Sequence, residues 1–380
     1  MSFSSLGLSA PLLKAVAEQQ YTQPYPIQKE AIPAVLRGRD VLGIAQTGSG
    51  KTASFALPIL EMFQGKDPIK NRYVKVLILV PTRELAIQIN EVFHAFNARL
   101  PHKAKTMAVY GGVSINPQMM QLSGTEILIA TPGRLLDLVS HNAVKLAEVE
   151  TLVLDEADKI LSLGFKEEVD KVFALLPVKR QNVLFSATLG EDVEAMVTRL
   201  LSNPVKIQVE AEASVPELIK QVAYHVETGK KGPLLRYLIK TGNMQQVLVF
   251  TSSIRTANNI VVKLNKNGIE AAGLHGEKSQ GARTEALKKF KAGKIRVLVA
   301  TDLASRGIDI KLLPHVINYE LPRSPKDYVH RIGRTGRAAS EGEAISFVTP
   351  EDEHHFKIIQ KKMGQRVPMI QTDALDLAGC

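Results

Sequence analysis

The residues with the clearest chemistry form a glycine-rich loop that ends in lysine and threonine. Residues 45–52 read Ala-Gln-Thr-Gly-Ser-Gly-Lys-Thr, with Ala45 where this pattern usually has glycine, and an apolar helical pattern opens at Phe55. Glycines let backbone N–H groups turn toward phosphate oxygens, and a helix N-terminus adds its dipole. Lys51 can then reach the β- and γ-phosphates, and the Thr52 hydroxyl can ligate Mg²⁺. The predicted phosphate-binding residues are Gln46, Thr47, Gly48, Ser49, Gly50, Lys51 and Thr52.

Two adjacent acids, Asp155 and Glu156, follow the apolar run Thr151–Leu154. A carboxylate at the C-terminal end of a buried strand, downstream of a phosphate loop, is the expected second Mg²⁺ position. Asp155 would hold the metal through water, and Glu156 would orient or deprotonate the attacking water. The alternative is an acidic helix N-terminus, which favours carboxylates in any case. Together the two motifs indicate nucleoside triphosphate hydrolysis, with Lys51, Asp155 and Glu156 as catalytic residues.

These residues need strands that end at one edge of a sheet, and the sequence provides two series of strands. Short runs of valine, isoleucine and leucine alternate with helical stretches, as in parallel sheets buried on both faces. The first series is Asp40–Ala45, Val74–Val80, Ile127–Ala130, Thr151–Leu154 and Asn182–Phe185. The second series is Gln246–Phe250, Ala271–Leu274, Arg296–Ala300, His315–Tyr319 and Ala344–Val348. Two series predict an α/β protein with two doubly wound parallel-sheet domains.

The predicted domain boundary lies in a segment with neither helical nor strand periodicity. Residues 208–216 mix small and acidic residues with a proline. We therefore expect a first domain over residues 1–207, a linker over 208–218 and a second domain over 219–370. Residues 371–380 have no packing pattern, which predicts a frayed tail. The two halves have no clear sequence repeat, although they could share a fold.

Composition limits the class of protein. The 380 residues are 45% hydrophobic and 23% charged, which is ordinary for globular domains. No apolar run approaches the ~20 residues that span a bilayer, and the N-terminus does not have the pattern of a secretory signal. The only cysteine is Cys380, which excludes an intramolecular disulfide and suits a reducing, cytoplasmic setting.

The net charge of +10 is unevenly distributed along the chain. Residues 1–207 contain 22 basic and 20 acidic residues, whereas residues 208–380 contain 26 basic and 18 acidic residues. A basic excess fits a polyanionic partner, and it equally fits a generic solvated surface. Charge alone therefore leaves the partner open.

The string Asp155-Glu156-Ala157-Asp158, read together with the glycine-rich loop, resembles the DEAD-box family of RNA helicases. The resemblance runs motif by motif, in order, from about residue 3 to residue 350. Residues 1–8 and 111–120 are most similar to the bacterial RhlE branch. The resemblance implies two tandem RecA-like domains joined by a short linker.

Residues 21–28 are similar to the Q motif with which this family reads adenine. The Gln28 side chain offers one donor and one acceptor, which match adenine N7 and N6. Tyr21 would stack on the base, and Phe3 would pack behind it. Gln20 stands where the family usually has glycine, which puts only the local turn in doubt.

Residues 330–337 contain three arginines with glycines between them, a composition suited to phosphate recognition. The resemblance implies that Arg334 and Arg337 are arginine fingers, which touch the γ-phosphate when the domains close. In the segment 300–309, Gly307 and Asp309 would also contact the nucleotide.

A further set of residues would couple the nucleotide state to RNA. The triplet Ser186-Ala187-Thr188 would form hydrogen bonds with Asp158, the last acid of the DEAD string. His330 and Arg331 would bridge from the second domain to this triplet. The implied coupling residues are Asp158, Ser186, Thr188, His330 and Arg331.

Hydroxyl, glycine and arginine residues follow strand candidates in both halves, and such groups bind a nucleic acid backbone rather than bases. The implied RNA-contact residues are Thr82, Arg83, Gly112, Thr131, Arg134, Thr251, Arg283 and Thr301. Aromatic residues make up only 5% and tryptophan is absent, so stacking platforms are not evident. Binding should therefore be sequence-nonspecific and salt-dependent.

The resemblance implies an ATP-dependent RNA helicase, with ATP and Mg²⁺, that closes its domains on ATP and RNA to separate short duplexes or remodel RNA–protein complexes. Two alternatives stay open, an ATP-gated RNA clamp and a nucleic-acid translocase that acts on DNA. The expected partner is single-stranded or duplex RNA, with ribosomal or RNA-degradation assemblies as further candidates. No membrane is expected, and the core is expected to be monomeric and cytoplasmic.

Overall fold

Short β-branched runs form parallel strands in both halves of the chain. The computed structural model describes residues 2–46, 48–66, 71–209, 219–302, 313–335, 342–373 and 375–377. The chain divides into two units, Met1–Ala211 and Glu212–Cys380. This division falls within the segment 208–218 that the sequence indicates as a linker.

The first unit contains one parallel sheet of seven strands. Its described strands are β1 Val41–Ile44, β2 Val76–Leu79, β3 Thr106–Val109, β4 Ile127–Ala130, β5 Thr151–Leu154, β6 Gln181–Ser186 and β7 Val205–Gln208. Its described helices are α1 Ala10–Glu18, α2 Pro26–Leu36, α3 Lys51–Met62, α4 Arg83–Asn97, α5 Ile115–Gln121, α6 Pro132–Ser140, α7 Ala157–Ser162, α8 Lys166–Ala174 and α9 Glu191–Leu200. A 3₁₀ turn, Phe3–Ser5, precedes them.

Helices cover both faces of this sheet because alternate strand residues point to opposite sides. In β2, Val76 and Ile78 enter a core formed with helices α1 to α4. Leu77 and Leu79 enter a second core, to which α6 to α9 contribute. Burial on both faces explains why these strands read as continuous apolar runs.

The second unit also contains a parallel sheet of seven strands. Its described strands are β8 Ile219–His225, β9 Val247–Thr251, β10 Ala271–Leu274, β11 Val297–Thr301, β12 His315–Asn318, β13 Gly342–Val348 and β14 Met369–Gln371. Its described helices are α10 Lys231–Thr241, α11 Ile254–Lys266, α12 Gln280–Lys291, α13 Pro325–Ile332 and α14 Glu353–Met363, with 3₁₀ turns at Thr228–Lys230 and Pro350–Asp352. Helices α10 and α11 cover one face, and α12 to α14 cover the other.

The two sheets have the same strand order. The first sheet runs β3-β4-β2-β5-β6-β1-β7, and the second runs β10-β11-β9-β12-β13-β8-β14. Numbered within its own unit, each order is 3-4-2-5-6-1-7. As a consequence, Lys51 and Lys231 occupy equivalent places, since each is the first residue of the helix that follows the first strand of its unit. The halves therefore share a fold without a clear repeat in sequence.

All ten predicted strands are present, with bounds that differ by at most two residues at either end. Four further strands were not predicted, namely β3, β7, β8 and β14. Strands β7 and β14 lie at sheet edges and are largely exposed, so they do not carry an apolar run. Gln208, predicted to begin the linker, is instead the last residue of β7.

The prediction of a frayed tail from residue 371 was wrong for the described part of that segment. Gln371 ends β14, which pairs with β8. The Thr372 hydroxyl donates a hydrogen bond to the His225 carbonyl at 2.7 Å. Leu375 and Leu377 pack against the core under α10 and α11. The second domain therefore extends beyond residue 370. Across the described residues, no helix combines the length and the apolar character that a membrane span requires.

Candidate functional site

The glycine-rich loop connects β1 to α3 and wraps around a lysine ammonium. Gly50 precedes the helix at φ +87°, and a Cβ there would lie 2.5 Å from Gln28 Nε2, so only glycine fits. Lys51 opens the helix and is only 6% exposed. Its Nζ donates a hydrogen bond to the Ala45 carbonyl at 2.9 Å. Thr52 follows on the same helix turn and is half-buried, while Thr47 lies outside the described residues.

The two acids lie at the carboxyl end of β5. Asp155 is buried, and burial raises the pKa of its carboxyl to about 6, although the nearby charge of Lys51 acts in the opposite direction. One Asp155 oxygen, Oδ1, accepts the Glu156 N–H at 2.9 Å. A buried carboxylate that is this costly to ionise favours a cation beside it.

Glu156 has a conformation that is rare for a non-glycine residue. Its φ of 56° and ψ of 48° are left-handed, at the position that precedes α7. The carboxylate is 6% exposed, and its Oε1 accepts a hydrogen bond from Lys159 Nζ at 2.7 Å. Its Oε2 is buried with no hydrogen-bond partner among the described residues. Such backbone strain often accompanies function.

Asp158 contacts the loop that follows β6. The Thr188 hydroxyl donates to Asp158 Oδ2 at 3.0 Å, and the Ala187 N–H approaches Oδ1 at 3.5 Å. The Ser186 hydroxyl donates to the Thr188 carbonyl at 2.7 Å and so stabilises the turn. The structure thus brings together the three first-domain residues that were predicted to couple the ligands.

The Gln28 side chain links α2 to the glycine-rich loop. It is fully buried, its Oε1 accepts the Tyr25 N–H at 2.9 Å, and its Nε2 donates to the Gly50 carbonyl at 3.1 Å. An amide has two donors and two lone pairs, so one of each remains for a base. The predicted adenine reader therefore also braces the loop that would hold the phosphates.

Tyr21 and Phe3 contact each other as the Q-motif resemblance implies. Their rings meet edge-to-face with centroids 6.3 Å apart, and the Tyr21 ring also packs edge-to-face on Phe96 at 5.6 Å. Gln20 has a φ of 60°, so the turn that usually contains glycine keeps its left-handed backbone here. The local turn that was in doubt is therefore formed, at the cost of backbone strain.

The strand order separates two groups of predicted residues along one edge of the first sheet. Strands β5, β6 and β1 are neighbours, and they carry the acids, the Ser186–Thr188 triplet and the glycine-rich loop. Strands β3, β4 and β2 form the other half of the sheet, and the predicted RNA-contact residues of this unit follow them. The carboxyl ends of parallel strands lie at one edge, where open α/β sheets bind ligands.

Four of those RNA-contact residues lie in the loops and helix starts that follow β2, β3 and β4. Thr82 caps α4, its hydroxyl accepting the Leu85 N–H at 3.3 Å, and Arg83 follows it. Arg83 packs on Gly112, where a Cβ would lie 2.2 Å from its Nη1. Thr131 directly precedes α6. Helix N-termini and an arginine are suitable phosphate partners.

Arg134, predicted to contact RNA, is buried in the first unit. The residue is 8% exposed, and its guanidinium donates to the Val113 carbonyl at 2.8 Å and to Gln118 Oε1 at 3.0 Å. Arg134 therefore supports the loop that contains Gly112 from below. Two of its N–H groups are used in these bonds, whereas its Nε is buried with no hydrogen-bond partner among the described residues, and its contact with RNA stays a prediction.

Arg331, predicted as a bridge to the first domain, has a side chain that is only 2% exposed within the second unit, and its bridging role stays a prediction. Its guanidinium donates to both Asp302 oxygens, to Asn318 Oδ1 at 3.1 Å and to the Glu320 carbonyl at 2.6 Å. It also lies 5.0 Å from the Phe250 ring centroid. Four of its five donors are thereby occupied.

The remaining predicted residues of the second unit fall into two groups. Thr251 and Thr301 end the neighbouring strands β9 and β11, and Arg283 lies in the first turn of α12. Thr251 is fully buried and donates to the Ser253 carbonyl at 3.2 Å. His330 and Arg334 lie at the end of α13 and just after it. Gly307, Asp309 and Arg337 lie outside the described residues.

Sequence reasoning missed Lys159 and Gln118. Lys159 stands three residues after Glu156, a spacing that brings side chains together on a helix. That signal was available in the sequence. The sequence contains no such signal for Gln118, because its contact with Arg134 depends on how α5 and α6 pack.

Both halves of the chain match helicase families. Residues 25–196 match the DEAD/DEAH box helicase family, and residues 230–339 match the helicase conserved C-terminal domain. The chain is 39% identical over 377 residues to the ATP-dependent RNA helicase CshA of Listeria monocytogenes, covering 99% of this chain and 71% of that protein. It is 38% identical over 380 residues to the DEAD-box ATP-dependent RNA helicase CshA of Geobacillus kaustophilus, covering 99% and 80%.

Solved structures show the same fold. The chain is similar to Saccharomyces cerevisiae Dbp5 bound to RNA and ADP BeF3, with a TM-score of 0.85, 31% identity and coverage of 98% of this chain and 96% of that chain. It is also similar to a DEAD box protein from Methanococcus jannaschii, with a TM-score of 0.54, 34% identity and coverage of 97% and 99%. Two parallel sheets with helices on both faces fit tandem RecA-like domains.

Proposed function

The chain belongs to the DEAD-box ATP-dependent RNA helicases, and from that premise we propose how its residues divide the work. As a helicase of this family it hydrolyses ATP and acts on RNA. The observation that carries the division is the strand order of the first sheet. One half of the edge, over β5, β6 and β1, would bind nucleotide, and the other half, over β3, β4 and β2, would bind the RNA backbone.

ATP would be held by the glycine-rich loop and by Lys51. The Lys51 ammonium donates a hydrogen bond to the Ala45 carbonyl, and bonds to β- and γ-phosphate oxygens would replace this neutral partner by charged ones. Gln28 and Tyr21 would contact adenine, with Phe3 behind the tyrosine ring. Because Gln28 also bonds the Gly50 carbonyl, base binding and loop geometry would be linked through one side chain.

The donor set fits Mg²⁺. Asp155 offers a buried carboxylate and Thr52 a hydroxyl, and oxygen ligands are what Mg²⁺ prefers. Among the described residues, no three acids, histidines or cysteines are placed so that they could hold a metal ion together, which fits a metal held by one carboxylate, a hydroxyl, water and phosphates. When bound, the ion would neutralise charge on the β- and γ-phosphates.

Glu156 would act as the general base. Its Oε2 is buried with no hydrogen-bond partner in the described part of the chain and can accept a hydrogen bond from a water molecule, while Oε1 accepts one from Lys159. Arg334 and Arg337 of the second unit would stabilise the charge that develops on the γ-phosphate. Arginine fingers contribute about 10³–10⁵ in rate in related phosphoryl transfers.

RNA would be held through its backbone. Thr82, Arg83, Gly112 and Thr131 of the first unit offer hydroxyl, guanidinium and backbone groups, and no base-reading side chain stands among them. Thr251, Arg283 and Thr301 would contribute from the second unit. We expect sequence-nonspecific binding that weakens with salt.

Finer assignments are further proposals. The similarity of residues 1–8 and 111–120 supports an RhlE-like branch, whereas the relatives reported above are named CshA. A cytoplasmic, monomeric core is proposed from the family resemblance. Ribosomal or RNA-degradation assemblies are proposed as partners on the same ground.

The testing experiment is steady-state ATP hydrolysis without nucleic acid, with single-stranded RNA and with DNA of equal length. Stimulation by RNA alone is the expected result. Equal stimulation by DNA would favour a DNA translocase, and no stimulation would contradict the proposed coupling. Strand separation of a short RNA duplex, compared with the lifetime of the ATP-bound RNA complex, then distinguishes unwinding from an ATP-gated clamp.

A further inference from the structure

Lys159 forms an ion pair with Glu156 in a place where few charged pairs are found. The two side chains are 8% and 6% exposed, and Lys159 Nζ lies 2.7 Å from Glu156 Oε1. The other lysine–glutamate pairs among the described residues of the first unit, such as Lys75 with Glu148, have partners that are at least 26% exposed. Removing two charges from water costs several kcal/mol per ion, so such a pair is weak evidence of a role in stability.

The position of Lys159 in the helix does not account for its charge. Lys159 is the third of the six residues of α7, near the middle of a short helix, where the helix dipole acts little on a cation. A neutral side chain at this position would avoid the cost of burying a charge. The ion pair is therefore better explained by what it does to Glu156.

The ion pair leaves the two Glu156 oxygens with different surroundings. Oε1 is occupied by the ammonium, whereas Oε2 is buried with no hydrogen-bond partner among the described residues. The left-handed backbone at Glu156 fixes where the side chain starts, and Lys159 fixes where it ends. With both ends held, a single oxygen is available to accept a proton.

We propose that Lys159 is a positioning residue that holds the Glu156 carboxylate by Oε1 and so directs Oε2 at the water that attacks the γ-phosphate. This inference rests on the proposed role of Glu156 as the general base. Lys159 itself touches neither substrate nor the reacting atoms. Loss of Lys159 would let the Glu156 carboxylate rotate, so that Oε2 would point at the attacking water for only a small part of the time.

The test compares Lys159→Met, Lys159→Arg and the double variant Glu156→Gln/Lys159→Met in the full chain with saturating RNA. We expect Lys159→Met to lower kcat about 10–100-fold, the range that follows from misplacing a general base by about an ångström. The KM for ATP should change by less than about threefold, because the phosphate-binding residues are untouched. Lys159→Arg should restore much of kcat, since it keeps a cation at Oε1.

The double variant distinguishes positioning through Glu156 from an independent effect. Because Lys159 would act only through the carboxylate, Lys159→Met should cause no further loss of turnover on top of Glu156→Gln. The matched control is Lys230→Met, which removes a lysine of the same i,i+3 spacing from an exposed pair with Glu227. That control should leave kcat unchanged.

Several outcomes would overturn the inference. These are an unchanged or raised kcat in Lys159→Met, a raised KM with normal kcat, or a loss that adds to that of Glu156→Gln. Thermal melting checks that each variant is folded, and Lys159→Gln replaces Lys159→Met if the latter does not fold. Absence of RNA-stimulated ATPase in the wild type would contradict the proposed function instead, so the two failures are distinguishable.

Discussion

The Arg331 guanidinium binds the Asp302 carboxylate through two parallel hydrogen bonds, from Nε to Oδ1 at 2.6 Å and from Nη2 to Oδ2 at 2.7 Å. The same guanidinium bonds Asn318 and the Glu320 carbonyl, so it ties the ends of β11 and β12 to the last turn of α13. Arg334, the proposed finger, follows that turn after two residues. Arg331 therefore fixes the segment from which the finger extends.

Arg331→Lys should destabilise the second unit by about 2–4 kcal/mol, because a lysine cannot replace the planar fork and leaves buried acceptors without donors. Chemical unfolding of the full chain measures this loss. Arg199→Lys is the control, since Arg199 also pairs with an aspartate, Asp170, and lies 5.2 Å from the Phe173 ring, but is 53% exposed. The control should cost less than about 1 kcal/mol. Equal losses in both variants would contradict a special role for the buried fork.

Glu156→Gln should keep ATP-dependent RNA binding and lose turnover. The amide cannot take a proton from water, and removing a general base costs about 10²–10⁴ in rate. RNA binding with a non-hydrolysed ATP analogue, measured beside steady-state ATPase, checks both halves of this prediction. Glu150→Gln, on the surface of the same unit, should behave as wild type. Retained steady-state hydrolysis in Glu156→Gln would remove that residue as the base.

Asp155→Asn should stabilise the ligand-free protein at neutral pH while abolishing activity. The pKa of Asp155 in the folded protein is about 6, above its ordinary value, so protonated Asp155 favours the folded state. This contribution to the free energy of unfolding is fully present below about pH 4 and is lost as the pH rises through 6. Ionisation then costs up to about 3 kcal/mol, which the neutral amide avoids. Melting at several pH values should show a gain at pH 7.5 that shrinks toward pH 4.

Asp40→Asn is the control for that experiment, because it should lower the stability of the folded protein. Asp40 Oδ1 accepts the Asn182 N–H and Oδ2 accepts the Ser202 N–H, each at 2.7 Å. An amide has only one oxygen, so one backbone donor would face its NH₂ group, at a cost of about 1–3 kcal/mol. A gain in stability from both substitutions would show that the benefit at Asp155 is not specific.

Gly112→Ala should weaken RNA binding without affecting the nucleotide. Gly112 has a φ of +76°, and the new methyl group would lie 2.2 Å from Arg83 Nη1 and displace that guanidinium. A loss of about 3–30-fold in RNA affinity is expected from one displaced phosphate contact together with local strain. Gly111→Ala is the matched control, because no atom lies within 4 Å of its Cβ position. Similar RNA titrations for both variants would argue against this contact.

Gln20→Gly should raise the stability of the first unit by about 1 kcal/mol, since φ is 60° at this position and glycine adopts that conformation without strain. Gln19→Gly, at a φ of −84°, should instead lower stability, because it only adds backbone entropy to the unfolded chain. Chemical unfolding of both variants gives the comparison. A loss in Gln20→Gly would mean that the glutamine side chain contributes contacts worth more than the strain.

The parts of this protein that sequence predicted are the parts whose signal is local. The glycine-rich loop, the acids at the end of β5 and the ten apolar strands each stand within a dozen residues, and the structure contains all of them. The role of Arg331 could not be read in this way, because its partner Asp302 is 29 residues distant and meets it only through strand order. The burial of Arg134 could not be read from the sequence for the same reason, since an arginine's exposure depends on the loop that packs on it.

Edge strands show a second limit of sequence reasoning. Strands β7 and β14 are held by backbone hydrogen bonds to one neighbour, so their side chains need not be apolar. A pattern of apolar residues therefore cannot predict a strand that is held mainly by backbone hydrogen bonds to the edge of a sheet. The tail after residue 370 was misassigned because its anchors, Leu375 and Leu377, are isolated in sequence.

The shared strand order of the two units is what an ancient duplication of one domain would leave behind. Lys51 and Lys231 stand at equivalent places, but their partners have diverged. Lys231 lies 3.8 Å from the Asp352 carboxylate, and burial lowers its pKa. In the second unit an internal carboxylate thus lies beside the lysine that corresponds to Lys51, the proposed phosphate-binding residue. We therefore expect each chain to bind one nucleotide, in its first unit.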